Sequence, residues 1–387
     1  MQTVAKPTSK SAVRIKEPAQ VLHIIKSLGR GGAETLLPET LSKHDKKKYQ
    51  FHYIYFLPWK NQMVNEIEQA GGKVSCLPAK NILGIVPKVP KIITYIKQHK
   101  IKLIHCHLPW GGIIGRIVGK ITNIPVIYTE HNQWERYHKI TYYLNKLSFS
   151  SQKKVIAVSE EVAKSIKARY RKNNPSIQVI QNGINTEKFS NSSLIDRDIR
   201  KELNISAESI VIGVTCVFRK QKRLIIWIEI AKELHDKNYN THFIIVGDGV
   251  MRDEIHEKAL QLKTEEYIHF VGLQAEIRPY LKAMNIFMMT SEYEGLPIAL
   301  LEAMSMGCMP ACTNAGGISE LIEEGLNGII VPVNKPMQLI KRLSEYVQHP
   351  SKIAILGQVA KKTIIDNFSL KRMVSQLETI YDNFINQ

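Results

Sequence analysis

The sequence predicts an α/β fold, with two doubly wound parallel-sheet domains facing a central cleft. Three observations carry this. Short apolar runs alternate with helical patterns from Val21 onward, the pattern of a parallel sheet covered by helices on both faces. The alternation stops at a polar stretch, Asn191–Leu203, and then restarts. The 387 residues suffice for two such units, each with its own core.

In the first unit Val21–Lys26 reads as a strand, Ser27–Glu34 as a glycine-rich turn and Thr35–Leu41 as helical. Phe51–Leu57 is a strand, Met63–Gln69 a helix, Lys73–Leu77 a short strand and Val89–His99 a helix. Lys102–His107 is a buried strand ahead of a helix carrying Gly111, Gly112 and Gly115. Pro125–Thr129, Lys154–Val158 and Gln178–Ile180 complete the set of strands. The second unit has strands at Ile210–Cys216, Thr241–Gly247, Tyr267–Val271, Ile286–Met289 and Ile329–Val331. Its helices fall at Leu224–Leu234, Met251–Gln261, Ile277–Ala283 and Pro297–Met306, and more helix fills most of the remainder. The boundaries are 21–190 and 205–369, with a last helix over 370–387. Residues 1–20 are polar and lysine-rich, lack the apolar core of a secretory signal, and read as a disordered basic leader.

The net charge is +18. Residues 1–200 hold 33 Lys+Arg against 13 Asp+Glu, whereas residues 201–387 hold 20 against 22. The excess lies in the first half and suits phosphate or an anionic membrane surface. No nucleic-acid-binding motif accompanies it, so nucleic acid is not expected as a partner. No apolar run of 18 residues occurs to span a membrane. The five scattered cysteines read as reduced and buried in a cytoplasmic protein.

Two motifs carry the chemistry. Gly29, Gly31 and Gly32 lie between the first strand and a helix, where free N–H groups and the helix dipole suit a phosphate. The turn is not a dinucleotide fingerprint. Glu34 takes the third glycine's place, and the second strand ends in Pro58–Trp59 without an acid for a ribose. The second motif is TSEYEGLPIALLEAM over residues 290–304. It places Glu294 in a loop after a strand, Pro297 at a helix start and Glu302 inside the helix. Carboxylates flanking a helix N-terminus suit a ligand with both phosphate and hydroxyl groups. His105 and His107 share one face at a strand end, but two ligands make no metal site and no third stands nearby in sequence.

The 290–304 string closely resembles the donor-site motif of retaining glycosyltransferases of family 4 (glycosyl transferases group 1), which have the GT-B architecture of two Rossmann-like domains. The resemblance extends from Val21 to Phe384 through SLGRGGAE (27–34), YTEH (128–131), AVS (157–159), IQNGIN (180–185), VGDG (246–249), FVGL (270–273) and TNAGGISE (313–320). It implies an acceptor-side first domain, a donor-binding second domain and a C-terminal helix that crosses back onto the first. It further implies that Glu302 binds ribose hydroxyls and Glu294 the donor sugar. The backbone of Gly295, Leu296 and Pro297's neighbours would face the sugar and the distal phosphate. Val271, Gly272 and Leu273 would contact the base, Gly31 and Gly32 would line the phosphate, and His131 would lie beside the reacting sugar. The family's cationic pair falls on CVFRKQKR (216–223): Lys222 matches the lysine, Val217 occupies the usual arginine position, and Arg219 takes its place. Lys220 and Arg223 read as solvated.

The function implied is transfer of a sugar from a UDP-, GDP- or ADP-sugar to an acceptor hydroxyl, with no metal or other cofactor. The acceptor would be a lipid-linked glycan of capsule, exopolysaccharide or lipopolysaccharide, made by a cytoplasmic enzyme peripheral to the inner membrane face. The aromatic and basic segments Trp134–Lys146 and Asn81–Lys91 would meet that membrane. Two alternatives use the same architecture, a degenerate non-catalytic nucleotide-sugar binder and a sugar-nucleotide epimerase.

Overall fold

A computed structural model describes residues 17–172, 174–190, 195–237 and 240–385. Most of the leader therefore lies outside the described residues. Two all-parallel sheets organise the chain. The first comprises β1 (Ala19–Ile24), β2 (Tyr49–Tyr55), β3 (Lys73–Cys76), β4 (Leu103–His107), β5 (Val126–Glu130), β6 (Lys154–Ala157) and β7 (Ser176–Val179), in the order β3-β2-β1-β4-β5-β6-β7. The second comprises β8 (Ile210–Thr215), β9 (Thr241–Val246), β10 (Ile268–Gly272), β11 (Ile286–Met289), β12 (Met309–Thr313) and β13 (Ile329–Val331), in the order β10-β9-β8-β11-β12-β13. The strand order reverses between β1 and β4 and between β8 and β11, and ligands settle beyond the carboxyl ends of strands at such switch points.

The central strands are buried on both faces, which explains their mainly apolar character. Every residue of β4, β5, β8 and β12 is buried. The helix Leu108–Thr122 lies unusually close to its sheet because glycine recurs every fourth residue. A Cβ on Gly111 would meet Ile24 O at 2.5 Å, and one on Gly115 would meet Cys106 Sγ at 2.0 Å.

The final helix, Leu370–Ile385, packs on the first sheet's side, against the helix Gly32–Lys43 and β4. Tyr49 Oη donates to Asp382 at 2.6 Å, and Leu370 N donates to Ile184 O at 2.7 Å.

Some elements differ from expectation. A helix over Glu160–Arg169 follows β6, capped by Ser159 Oγ, which accepts from Val162 N at 3.1 Å. The polar stretch contains a short helix, Ile199–Glu202, capped by Asp198. Trp134 is not a membrane-facing aromatic. It is 1% exposed, with its ring edge-on to Phe149 at 4.7 Å. Of the cysteines, all free, Cys106, Cys308 and Cys312 are buried but Cys76 and Cys216 only half-buried.

Candidate active site

The carboxyl ends of the two sheets enclose a cavity of about 580 Å³, within the range of small-molecule sites. It is built on four loops. The turn after β1 supplies Gly31 and Gly32, and a Cβ on Gly32 would lie 3.7 Å from Ile298 Cγ1 on the opposite side. The loop after β5 supplies His131. The turn after β8 supplies Arg219 and Lys222, and the loop after β11 supplies Glu294, Gly295, Leu296 and Pro297. Glu302 lines the same cavity from the helix Ile298–Ser305.

The last two loops are tied together. Thr290 Oγ1 donates to the carbonyls of Lys222 and Arg223 at 3.0 and 3.1 Å, and Glu292 N donates to Gln221 O at 2.8 Å. This sets Lys222 Nζ 2.6 Å from Glu294 Oε1, with the two side chains only 17% and 8% exposed. Burial pulls the Lys222 ammonium down, but Glu294 more than offsets this and the net shift is upward. Arg219 has no hydrogen-bond or ion-pair partner among the described residues. Its charge acts on Lys26 and Glu34 of the first domain, as does that of Lys60. Burial and then the neighbouring Lys60 and Arg219 lower the Lys26 pKa, and burial raises that of Glu34. Cations from both domains thus converge at one end of the cavity.

Glu302 marks another part of it. Burial pushes its carboxyl up to about 8; Lys188 opposes this, and Glu39 and Glu276 add to it. Lys188 itself pairs with Glu39 at 2.9 Å.

Backbone contacts cross the floor of the cleft. A Cβ on Gly295 would meet His131 O at 2.1 Å, so only glycine allows this approach. Asn182 Nδ2 donates to Leu296 O at 2.9 Å, and Arg30 Nη1 donates to Gln274 O at 3.1 Å.

Comparison with known proteins decides the family. Residues 30–188 match Glycosyltransferase Family 4, and residues 195–363 match Glycosyl transferases group 1. The two matches meet at the junction between the sheets and take in nearly all of both. The chain belongs to the group 1/family 4 glycosyltransferases. One relative is the UDP-Gal:alpha-D-GlcNAc-diphosphoundecaprenol alpha-1,3-galactosyltransferase of Escherichia coli, 24% identical over 301 residues, covering 75% of this chain and 77% of the relative. Another is the capsular polysaccharide biosynthesis glycosyltransferase CapM of Staphylococcus aureus, 23% identical over 359 residues, covering 86% and 93%. The crystal structure of Anabaena HepE in complex with UDP and glucose superposes with a TM-score of 0.84 at 21% identity, covering 94% of this chain and all of that one. It shares the GT-B fold.

In this glycosyltransferase the predicted site residues mostly converge on the cavity, with three corrections. Of the three residues expected at the nucleotide base, Val271 and Gly272 do not line the cavity; Leu273 does, together with residues 274–277. Arg223 is only partly solvated, its side chain 22% exposed. Its Nη1 donates to Val333 O at 2.7 Å, and its backbone takes a left-handed turn with φ of 51°. The histidine pair has a third member, because β1 pairs with β4 in a register that sets His23 opposite His105.

The ligand atoms of His23, His105 and His107 lie within 4.8 Å of one another, close enough to hold a metal ion. Most of these nitrogens already have protein partners. His105 contacts Tyr381 Oη and Thr129 Oγ1, both at 2.7 Å. His107 contacts His23 Nδ1 at 2.9 Å and His131 Nε2 at 3.3 Å. Burial lowers the pKa of all three, and takes that of His131 down to about 4. Between pH 6.5 and 4 the unfolded chain therefore binds protons that the folded rings refuse. Stability rises with pH through this window and is lost as pH falls. Each pH unit costs about 1.4 kcal/mol per ring kept neutral. Thermal unfolding scanned from pH 7.5 to 5 should show a steep fall in Tm; a flat profile would mean that the rings protonate without cost.

Sequence reasoning missed Glu130, the anchor of the His131 loop. Fully buried, it accepts from Tyr128 Oη at 2.8 Å, Trp134 Nε1 at 2.9 Å, His131 N at 3.0 Å and Tyr137 Oη. It also missed Lys26 and Lys60. Their signal was position alone, just beyond the first two strands.

Proposed function

We propose that this enzyme transfers a sugar from a nucleoside-diphosphate sugar to an acceptor hydroxyl with retention at the anomeric carbon. The observation that carries the reading is one cavity with a cationic end, drawn from both domains, and a carboxyl group, Glu302, suited to a ribose. As the bond from C1 to the diphosphate oxygen breaks, charge grows on the departing oxygens. Lys222, largely desolvated, and the exposed Arg219 stabilise it, the role a metal plays elsewhere. The acceptor oxygen bonds to C1 on the same face, and its proton passes to the departing diphosphate. Glu294, held by Lys222, accepts from sugar hydroxyls, and His131 lies beside the reacting carbon. No carboxylate pair of the hydrolase kind is needed.

We take a UDP-sugar as the first of the UDP-, GDP- and ADP-sugar donors, a choice that the UDP complex of HepE supports. The names of the S. aureus and E. coli relatives favour surface polysaccharide assembly and a lipid-diphosphate-linked glycan as acceptor. The enzyme would then work at the cytoplasmic face of the membrane; no helix among the described residues is long and apolar enough to cross one.

Thermal shift against UDP, GDP, ADP and CMP tests the donor site. The matching nucleotide at 100 times its Kd should add about 2.7 kcal/mol of stability. Stabilisation by one nucleotide identifies the base. No shift with any of them would remove the basis for a nucleotide-sugar donor.

A further inference from the structure

The helix Lys139–Ser148 is turned inside out. Its buried side is polar, because it serves a buried cation. Arg116, 1% exposed, extends from the helix Leu108–Thr122 and donates from Nη1 to Asn145 Oδ1 at 2.8 Å and Ser148 Oγ at 3.0 Å. Its Nε donates to Gln152 Oε1 at 2.7 Å, and its guanidinium lies 4.6 Å from the centre of the Tyr128 ring. A buried guanidinium stripped of these acceptors would be strongly destabilising, so Asn145 and Ser148 must face inward. The apolar residues are left outside. Ile140, Tyr143, Leu144 and Leu147 stand at i, i+3, i+4 and i+7, a single stripe on one face. Leu147 is 78% exposed and Ile140 62%. The adjoining helix Leu108–Thr122 adds exposed Ile117 and Ile121. So much exposed aliphatic surface marks an interaction face.

Charge selects what covers it. From residue 69 to residue 159 the chain carries fourteen lysines and arginines, and its only acids are Glu130 and Glu135. Glu130 is buried, and Glu135 is occupied by Ser165 and Arg169. Lys139 and Lys146 are exposed on the stripe's own helix. A second copy would bring like charges face to face. An anionic lipid surface instead accepts the stripe among its acyl chains, the lysines at its phosphates and Tyr143 at headgroup level.

The helix begins eight residues after His131. Between them Arg136 stacks 4.6 Å from the centre of the Tyr293 ring and pairs at 3.3 Å with Glu292, two residues before Glu294. The stripe is thus carried on the segment that edges the cleft. We propose that the helix Lys139–Ser148 docks in the plane of an anionic bilayer and holds the cleft against it. This rests on the reading that the acceptor is lipid-linked.

The test is co-sedimentation of the full chain with vesicles of phosphatidylcholine, alone or mixed with phosphatidylglycerol. It compares wild type, Ile140→Ser/Leu147→Ser, and Leu260→Ser, an exposed control in the second domain. Wild type and Leu260→Ser should bind the phosphatidylglycerol vesicles and be released by salt. The double variant should bind at least about tenfold more weakly, since two exposed aliphatic side chains no longer insert. Its UDP-induced thermal shift should equal that of wild type. Equal binding by the double variant, or no binding by wild type at low salt, overturns the proposal. So does a wild-type dimer that the double variant dissociates, because a second copy would then cover the stripe. A thermal shift missing with UDP, GDP and ADP alike would instead count against the donor-site reading, whatever the vesicles show.

Discussion

Lys222→Ala should lower kcat at least about 10²-fold, equivalent to some 2.7 kcal/mol of lost transition-state stabilisation. The ammonium lies at the cationic end of the cavity, where the proposed mechanism puts the departing diphosphate, and it is only 17% exposed. Screening by water is weak there, so its effect on the developing charge is large. The same substitution leaves Glu294 buried without its partner at 2.6 Å, which costs stability as well as chemistry. The two effects separate experimentally. Lys222→Ala/Glu294→Gln removes the uncompensated charge and should recover most of the lost Tm but none of the rate. Arg219→Ala, which breaks no ion pair among the described residues, should slow turnover with little change in Tm. If saturating donor gives Lys222→Ala a kcat within a few-fold of wild type, the diphosphate does not sit at this end.

What the sequence revealed follows a physical line. Parallel strands covered on both faces are mainly apolar, so β4, β5 and β8 stand out as runs even though β4 carries His105 and His107 and β5 carries Glu130. The motif of Glu294 and Glu302 was legible because loop, helix start and helix are contiguous in the chain. Partners joined only by strand register were not. His23 and His105 are brought together by the pairing of β1 with β4, and nothing local marks it. Lys26 feels the charges of both Lys60 and Arg219 because three strand ends point at one cleft. The helix Lys139–Ser148 read as a mixed aromatic and basic segment because its apolar stripe faces outward and its inner face answers to Arg116. Trp134 was misplaced for a related reason: a buried tryptophan needs an acceptor, and Glu130, four residues earlier, supplies it at 2.9 Å.

Donor affinity should rise with pH between 6 and 8, and Glu302 should be the cause. Its carboxyl, lifted to about 8 by burial, is largely protonated at pH 7 before ligand binds. Ribose hydroxyls are best met by a carboxylate, which accepts through both oxygens; the protonated acid must give one site to its own proton. Binding therefore expels a proton, and well below pH 8 affinity should gain up to about tenfold per pH unit. A nucleoside-diphosphate sugar is the proper probe, because its diphosphate is esterified at both ends and does not titrate in this range. The sign for the ligand-free protein is opposite. A folded pKa raised above the unfolded value of 4.5 means that Glu302's own contribution to stability falls as pH climbs from 4.5 toward 8, against the larger rise that the four buried histidines give up to pH 6.5. Glu302→Gln should then melt above wild type at pH 8 and near it at pH 4.5, while its donor affinity is weaker and flat with pH. Glu302→Ala, which also loses the contact itself, should cost at least about 10²-fold in kcat/KM. Wild-type affinity that stays flat from pH 6 to 8, with Glu302→Gln binding equally well, would place the ribose elsewhere in the cleft. The groups facing Glu302 bear on the slope: removing Lys188 should raise the carboxyl's pKa further and move the rise in affinity to higher pH, whereas Glu39→Gln or Glu276→Gln should move it lower.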